Sequence, residues 1–406
     1  MDDLLNPAIV SNTAPTEKPL SIVFTGGGTG GHVYPALALA QRLRELEPEA
    51  RILFIGTGRL EAKKVPAEGF PIKLISVRGL AGPRDFAGLM RKLHSTALLA
   101  LGVPLFQSLA ALRAFRPQVV VGTGGYVCGP VVLAARLLKI PSISVEQNLR
   151  PGLTTRLLAR LVDVAALISE ESVALYPRPK GRFARPGKPR LVVTGNPLRP
   201  EIVNARKEDG LAAFGLSPER LTLLVVGGSL GSSLLNRVFL EALEMLADEF
   251  WFRNTVQIIH VVGTQRANPP ELGERAKQAR LRYQAHAYLD NLPLAYAAAD
   301  LALCRGGGTT VAELSARGLP AIIVPWVAAA NNEQYYNSKP LAHVGGAILM
   351  QEDEFTPGHL AGELKSLLQN PARLQEMSTA SRKLGRPSAA DEILKLVSEL
   401  RSTGST

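Results

Sequence analysis

The chain has 406 residues, 46% hydrophobic, 20% charged and 5% aromatic, with a formal net charge of +11. That length provides for two or three domains with sizeable cores, and the low aromatic share counts against a base-stacking surface for single-stranded nucleic acid. Two cysteines, Cys128 and Cys304, exclude a disulfide framework and fit a reducing compartment, while the positive charge calls for an anionic partner: nucleic acid, an anionic membrane face or phosphorylated substrates.

Residues 1–19 begin polar and acidic, lack the basic flank and apolar core of a signal peptide, and read as a disordered lead-in. No uninterrupted apolar run of about 18 residues follows, so no transmembrane helix is expected. The longest apolar stretch, Ser95 to Leu112, is broken by Gly102, Pro104, Gln107 and Ser108. Expected strands come at Ser21–Phe24, Ile52–Ile55, Ile72–Ser76, Gln118–Val121, Ser142–Val145, Val164–Ile168 and Leu191–Thr194. Several are continuous apolar runs, as in strands buried on both faces. Helical patterns such as Pro35–Leu46 and Val131–Leu138 lie between them, and this alternation predicts a parallel, doubly wound sheet.

The pattern then restarts. Strands are expected at Leu221–Val226, Val256–Val262, Leu301–Cys304, Ala321–Val324 and Ala347–Met350, with helices at Ser232–Leu246, Thr309–Arg317, Asn332–Leu341 and Leu360–Leu368. Two similar α/β halves follow, joined near Asn196–Glu201. We divide the chain into a first domain at 20–198, a second at 199–385, and a C-terminal helix and tail at 386–406, with Ser388–Arg401 amphipathic. Pro177–Arg190 is a basic, proline-rich loop that cannot continue a helix or central strand. It is either a solvated loop or a contact with an anionic surface.

Four expected strands run into glycine turns: Thr25 to His32, Gly122 to Tyr126, Gly227 to Ser232 and Arg305 to Thr310. Glycine there lets the backbone approach a ligand closely, and a following helix N-terminus suits an anion. The spacing matches neither the dinucleotide fingerprint nor a Walker A loop. In open α/β sheets ligands bind at this edge, so the turns point to a phosphate-bearing ligand held between the halves.

These residues also carry a resemblance. Thr25–Pro35, Gly122–Pro130, Glu146-Gln147-Asn148, Gly195–Arg199, Gly227–Gly231, Cys304–Glu313, Gly318–Pro325 and Glu333–Asn337 occur in the order seen in the MurG family of glycosyltransferases, which the chain resembles from about Ser21 to about Leu368. The resemblance implies the GT-B fold, two Rossmann-like domains with parallel sheets facing across a cleft. It implies inverting transfer of N-acetylglucosamine from UDP-N-acetylglucosamine to undecaprenyl-pyrophosphoryl-N-acetylmuramoyl-pentapeptide, by a peripheral protein at the cytoplasmic face of the membrane.

Carried over by motif position, donor contacts fall on Thr29, Gly30, Gly31, Asn148, Arg199, Ser229, Leu289, Gly308, Thr309, Thr310, Val311, Ala312, Glu313 and Gln334. Acceptor contacts fall on Gly27, Gly28, Gly124, Gly125 and Tyr126. Glu313 suits a ribose diol, Ser229 and the N–H groups near Gly308 and Thr309 suit a diphosphate, and Arg199 suits phosphate charge. Leu289 would meet uracil through its backbone. Asn148 and Gln334 suit sugar hydroxyls and the acetamido group. The chain departs from the family pattern at Gly306, Gly308, Leu230, Glu333 and Thr155, which bears on fine specificity.

His32, the only histidine inside a glycine turn, is either the base that activates the acceptor hydroxyl or a residue that positions substrate. No Asp-x-Asp pair lies near the turns, so no fixed metal and no tightly bound cofactor are expected. Cys128 and Cys304 read as packing residues. Arg84 to Leu112 mixes basic and apolar residues and reads as a membrane-facing surface or an ordinary helix pair. Rival readings are a UDP-N-acetylglucosamine 2-epimerase, another lipid-directed glycosyltransferase and a non-catalytic nucleotide-sugar binder. A nucleic-acid partner is not expected, because the basic residues form no known module.

Overall fold

The computed structural model describes residues 19–77, 102–177, 189–228, 230–264 and 280–403. Ser229, most of the Arg84–Leu112 segment and most of the Pro177–Arg190 loop lie outside the described residues.

Two parallel sheets carry the molecule. The first contains β1 (Ser21–Thr25), β2 (Arg51–Gly56), β3 (Ile72–Leu74), β4 (Val119–Gly122), β5 (Ser142–Val145), β6 (Val164–Leu167) and β7 (Arg190–Val193), in the order β3-β2-β1-β4-β5-β6-β7. The second contains β8 (Leu221–Val226), β9 (Val256–Val261), β10 (Tyr283–His286), β11 (Leu301–Cys304), β12 (Ala321–Ile323) and β13 (Ala347–Leu349), in the order β10-β9-β8-β11-β12-β13. Both sheets run outward in two directions from a central pair, β1 beside β4 and β8 beside β11. Those pairs mark the point where the winding reverses, and a ligand crevice opens there. The four strands that precede the glycine turns are these four. The expected architecture of two Rossmann-like halves is present.

Burial explains the continuous apolar runs. Every residue of β1, β4, β9 and β11 is buried, because helices cover both faces of each sheet. The strand Tyr283–His286 was not foreseen. It lies at a sheet edge with all four residues half-buried, so it shows neither an apolar run nor a clean alternation. The first helix spans Gly30–Leu46 rather than opening at Pro35. Glycine is a poor helix former, which hid the first turn. Tertiary contacts hold it, with Val33, Ala36, Leu37 and Ala40 buried against β1 and β2.

The last helix, Ala389–Thr403, packs on the first sheet although it follows the second in sequence. Its Ile393 and Val397 are 0% and 1% exposed and share a core with Ile22, Phe24 and Leu39. Ion pairs Arg42–Asp391 (2.6 Å) and Arg190–Glu399 (2.6 Å) flank that seam. The chain thus crosses between the halves twice, once near residue 195 and once near residue 386. Among the described residues no helix is long and apolar enough to cross a membrane.

Candidate functional site

A cavity of about 320 Å³ lies between the halves at the carboxyl edges of both sheets. Two helix N-termini converge on it. Thr29, Gly30 and Gly31 open the Gly30–Leu46 helix from one side, and Gly307, Gly308, Thr309 and Thr310 open the Gly308–Arg317 helix from the other. First-turn N–H groups have no partner within their own helix, so the cavity has donors and partial positive charge on two walls.

Pro35 sharpens this arrangement. It has no N–H, so the carbonyl of Gly31 receives no helical bond. Thr309 Oγ1 donates to that carbonyl across the cleft at 3.5 Å. Gly308 meets the opposite wall even more closely. A Cβ there would lie 2.1 Å from the carbonyl oxygen of Gln147, so this departure from the family pattern sits where the halves touch. Asn148 and Asn337 complete the contact. Asn337 Nδ2 donates to Asn148 Oδ1 at 2.9 Å, and the Leu149 N–H donates to Asn337 Oδ1 at 2.8 Å. Buried Glu146 holds this turn by accepting from the Asn148 and Gly152 N–H groups, both at 3.0 Å.

His32 stands at the junction of this cavity and a smaller one of about 130 Å³. The smaller cavity is lined by Gly27, Gly28, Gly125 and Tyr126 with Thr57 and Arg59. The Nδ1 of His32 lies 3.1 Å from the Thr123 carbonyl and 3.2 Å from Gln147 Oε1. Gln147 Nε2 donates to Val145 O at 2.8 Å, which turns Oε1 toward the imidazole. Both partners of Nδ1 are acceptors, so Nδ1 carries the hydrogen and Nε2 keeps the lone pair in the neutral ring. Gly124 packs directly on this ring: its φ is +106°, and a Cβ would lie 2.5 Å from Nδ1.

Glu313 is 7% exposed on the Gly308–Arg317 helix and lines the larger cavity with Arg199 and Tyr296. Burial pushes its carboxyl up to about 7, against the opposing pull of Arg199 and a hydrogen bond from Tyr296. Arg199 also stacks 4.7 Å over the Tyr34 ring. Tyr34 and Tyr288 share a 2.6 Å hydrogen bond between hydroxyls across the cleft, beside an ion pair of Lys64 with Asp290.

The expected residues divide by location. Thr29, Gly30, Gly31, His32, Asn148, Arg199, Leu289, Gly308, Thr309, Thr310 and Glu313 meet around the larger cavity. Val311 and Ala312 lie on the other side of the same helix and line a different cavity, as the 100° step between helical residues requires. Gln334 turns away, its Oε1 accepting the Trp326 N–H at 2.9 Å. Its neighbour Glu333 faces the cavity instead. The Glu333 carboxyl is raised by burial and by Glu146, and lowered by His32. Of the acceptor set, Gly27, Gly28, Gly125 and Tyr126 line the smaller cavity, and Gly124 packs behind His32.

Sequence reasoning assigned no site role to Gln147, Tyr34, Tyr288, Glu333 or Glu61. Glu61, 1% exposed, braces the first glycine turn by accepting the Gly28 N–H at 3.0 Å. Both thiols are buried and pushed up to about 12 by burial, so they are not nucleophiles at neutral pH. Among the described residues no group of three His, Cys, Asp or Glu side chains could hold a metal ion.

Comparison with known proteins places this geometry. Residues 22–167 match the glycosyltransferase family 28 N-terminal domain, and residues 222–393 match the family 28 C-terminal domain. The UDP-N-acetylglucosamine--N-acetylmuramyl-(pentapeptide) pyrophosphoryl-undecaprenol N-acetylglucosamine transferase of Desulforudis audaxviator is 38% identical over 395 residues, covering 95% of this chain and 100% of that protein. The crystal structure of Acinetobacter baumannii MurG superposes with a TM-score of 0.68 at 28% identity, covering 94% of this chain and 100% of that one. A UDP-N-acetylglucosamine 2-epimerase structure superposes with a TM-score of 0.65 at 16% identity over 94% of this chain and 95% of that one, a likeness of fold alone.

Proposed function

The chain belongs to glycosyltransferase family 28 and, within it, to the MurG family, and from that premise we propose that it transfers N-acetylglucosamine from UDP-N-acetylglucosamine to undecaprenyl-pyrophosphoryl-N-acetylmuramoyl-pentapeptide. The observation that carries this reading is His32 at the junction of two cavities, one walled by two helix N-termini and Glu313, the other by the Gly27–Gly28 and Gly125–Tyr126 turns.

In this reading the larger cavity takes the donor. The diphosphate meets the N–H groups of Gly308, Thr309 and Thr310, with Arg199 neutralising charge. The ribose diol donates to ionised Glu313, uracil meets the backbone at Leu289, and the sugar meets Asn148 and Glu333. The smaller cavity takes the muramoyl end of the acceptor. His32 Nε2 removes the proton of the acceptor hydroxyl as its oxygen bonds to the sugar carbon. The bond from that carbon to the UDP oxygen breaks on the opposite face, so configuration inverts. The departing charge falls on the two helix N-termini and Arg199. The reaction needs no redox step, and the donor is the only nucleotide it consumes.

We place the protein at the cytoplasmic face of the membrane as a peripheral enzyme. The helix over 102–115 supports this reading by exposing Val103 (57%) and Phe106 (71%), and the net charge of +11 favours an anionic surface.

The test is steady-state kinetics of His32→Ala on a short-chain lipid-linked muramoyl-pentapeptide. We expect kcat to fall by about 10²–10⁴ with donor affinity unchanged. An unchanged kcat would remove His32 from the chemistry and leave it a positioning residue.

A further inference from the structure

The acceptor brings two groups to its site: a hydroxyl that attacks, and a diphosphate on the same sugar ring. His32 serves the hydroxyl, while Arg199 and two helix N-termini serve the diphosphate of the donor. None of these supplies a counter-charge for the acceptor's own diphosphate. One side chain of the smaller cavity does. Arg59 lines that cavity with His32, Gly28, Thr57 and Tyr126. It stands just beyond β2 at the carboxyl edge of the first sheet, where the helix Leu60–Ala67 begins. Its side chain is exposed and has no ion pair or hydrogen bond with another described residue. Glu61, two residues on, is committed elsewhere: it is 1% exposed and accepts from the Gly28 N–H and from the N–H and hydroxyl of Thr57. Among the described residues no aspartate or glutamate lines the cavity. Gly28 keeps the approach to the guanidinium clear. Its φ is +94°, and a Cβ built there would meet only Arg59 Nη1, at 3.9 Å.

We propose that Arg59 is the positioning residue for the acceptor's diphosphate: its guanidinium takes two diphosphate oxygens through paired N–H donors, and the sugar ring spans from there to His32. The proposal rests on the acceptor reading of the smaller cavity. A guanidinium suits the task because its donors form a planar fork that matches phosphate oxygens and stays charged at every relevant pH. The diphosphate and the attacking hydroxyl are borne by one ring, so fixing the first limits where the second can lie. Arg59 therefore sets the register of the hydroxyl against the imidazole, and binding energy far from the reacting atoms goes into alignment. A lipid headgroup offers the same phosphate chemistry to an exposed arginine, so the two sources are separated by working without a membrane.

Steady-state kinetics of the full chain on a short-chain lipid-linked muramoyl-pentapeptide, with no vesicles present, tests this. In Arg59→Gln the acceptor KM should rise by about tenfold or more, with donor KM unchanged and kcat far less affected than in His32→Ala. Arg59→Lys should recover part of the loss, because it restores the charge but not the fork. A second acceptor, with a single phosphate in place of the diphosphate, separates direct contact from a structural effect. The wild type should bind it more weakly, and Arg59→Gln should lose less by the same change, so the two losses do not multiply. An acceptor KM in Arg59→Gln equal to that of the wild type would overturn the assignment. So would a penalty of the same size on both acceptors. A wild type that transfers to the acceptor keeps the acceptor reading in place under either of those results. A wild type that binds UDP-N-acetylglucosamine but neither binds the lipid-linked acceptor nor transfers to it would overturn that reading, and the role of Arg59 with it.

Discussion

Glu313 is the residue whose chemistry depends most on its surroundings. Its carboxyl, raised to about 7 by burial, is partly protonated near neutral pH, and only the ionised form accepts two hydrogen bonds from a ribose diol. Donor affinity should therefore rise as pH increases through about 7, and binding at neutral pH should release protons. Glu313→Gln should remove both effects, which titration calorimetry in buffers of different ionisation heat will read. UDP-N-acetylglucosamine itself has no group that titrates in that window, so a pH dependence left unchanged by Glu313→Gln would contradict this assignment. His32 stood out in the sequence as the only histidine inside a glycine turn, whereas Glu313 came from the family resemblance by motif position; the structure sets both at the larger cavity. Gln147, which orients His32 from 115 residues away, and Tyr34 with Tyr288, which meet over 254 residues, were not. Nothing local in a sequence records which side chain will cross a cleft. Glu333 was noticed only as a departure from the family pattern, and the folded helix turned it inward in place of Gln334.

Among the elements, the Gly308–Arg317 helix meets the opposite half at its first residue, against the Gln147 backbone. A methyl at Gly308 would collide with backbone rather than with a mobile side chain, so Gly308→Ala should cost the closed arrangement about 1–3 kcal/mol. Weaker donor binding and a larger radius in solution scattering are the expected readouts; an unchanged radius and affinity would show that the halves do not close on this contact. The strands of the central pairs were readable because both their faces are covered. The edge strand Tyr283–His286 was not, because an edge strand of four half-buried residues leaves no periodic signal. The first turn of the Gly30–Leu46 helix was hidden for a different reason: its two glycines, which line the larger cavity, run against helix propensity.

At the scale of the whole molecule, the last helix ties the two halves together. The amphipathic pattern of Ser388–Arg401 showed that a helix would form there, but a pattern of apolar residues does not say which surface covers it. Ile393 is fully buried against the first sheet, so Ile393→Ala should destabilise the protein by about 2–5 kcal/mol, measured by denaturant unfolding. The loss should fall on the transition of the first half; a loss confined to the second half would contradict the packing. The strand order, repeated in both sheets, places four glycine turns on one edge, and the two crossings of the chain bring those edges face to face. The function rests on that juxtaposition. Its most direct measurement is product analysis: the purified full chain is incubated with UDP-N-acetylglucosamine and a short-chain lipid-linked muramoyl-pentapeptide, beside His32→Ala and Glu313→Ala. A disaccharide-lipid with inverted configuration, formed by the wild type and lost in both variants, is the result expected here. Donor binding without any transfer to that acceptor would contradict it.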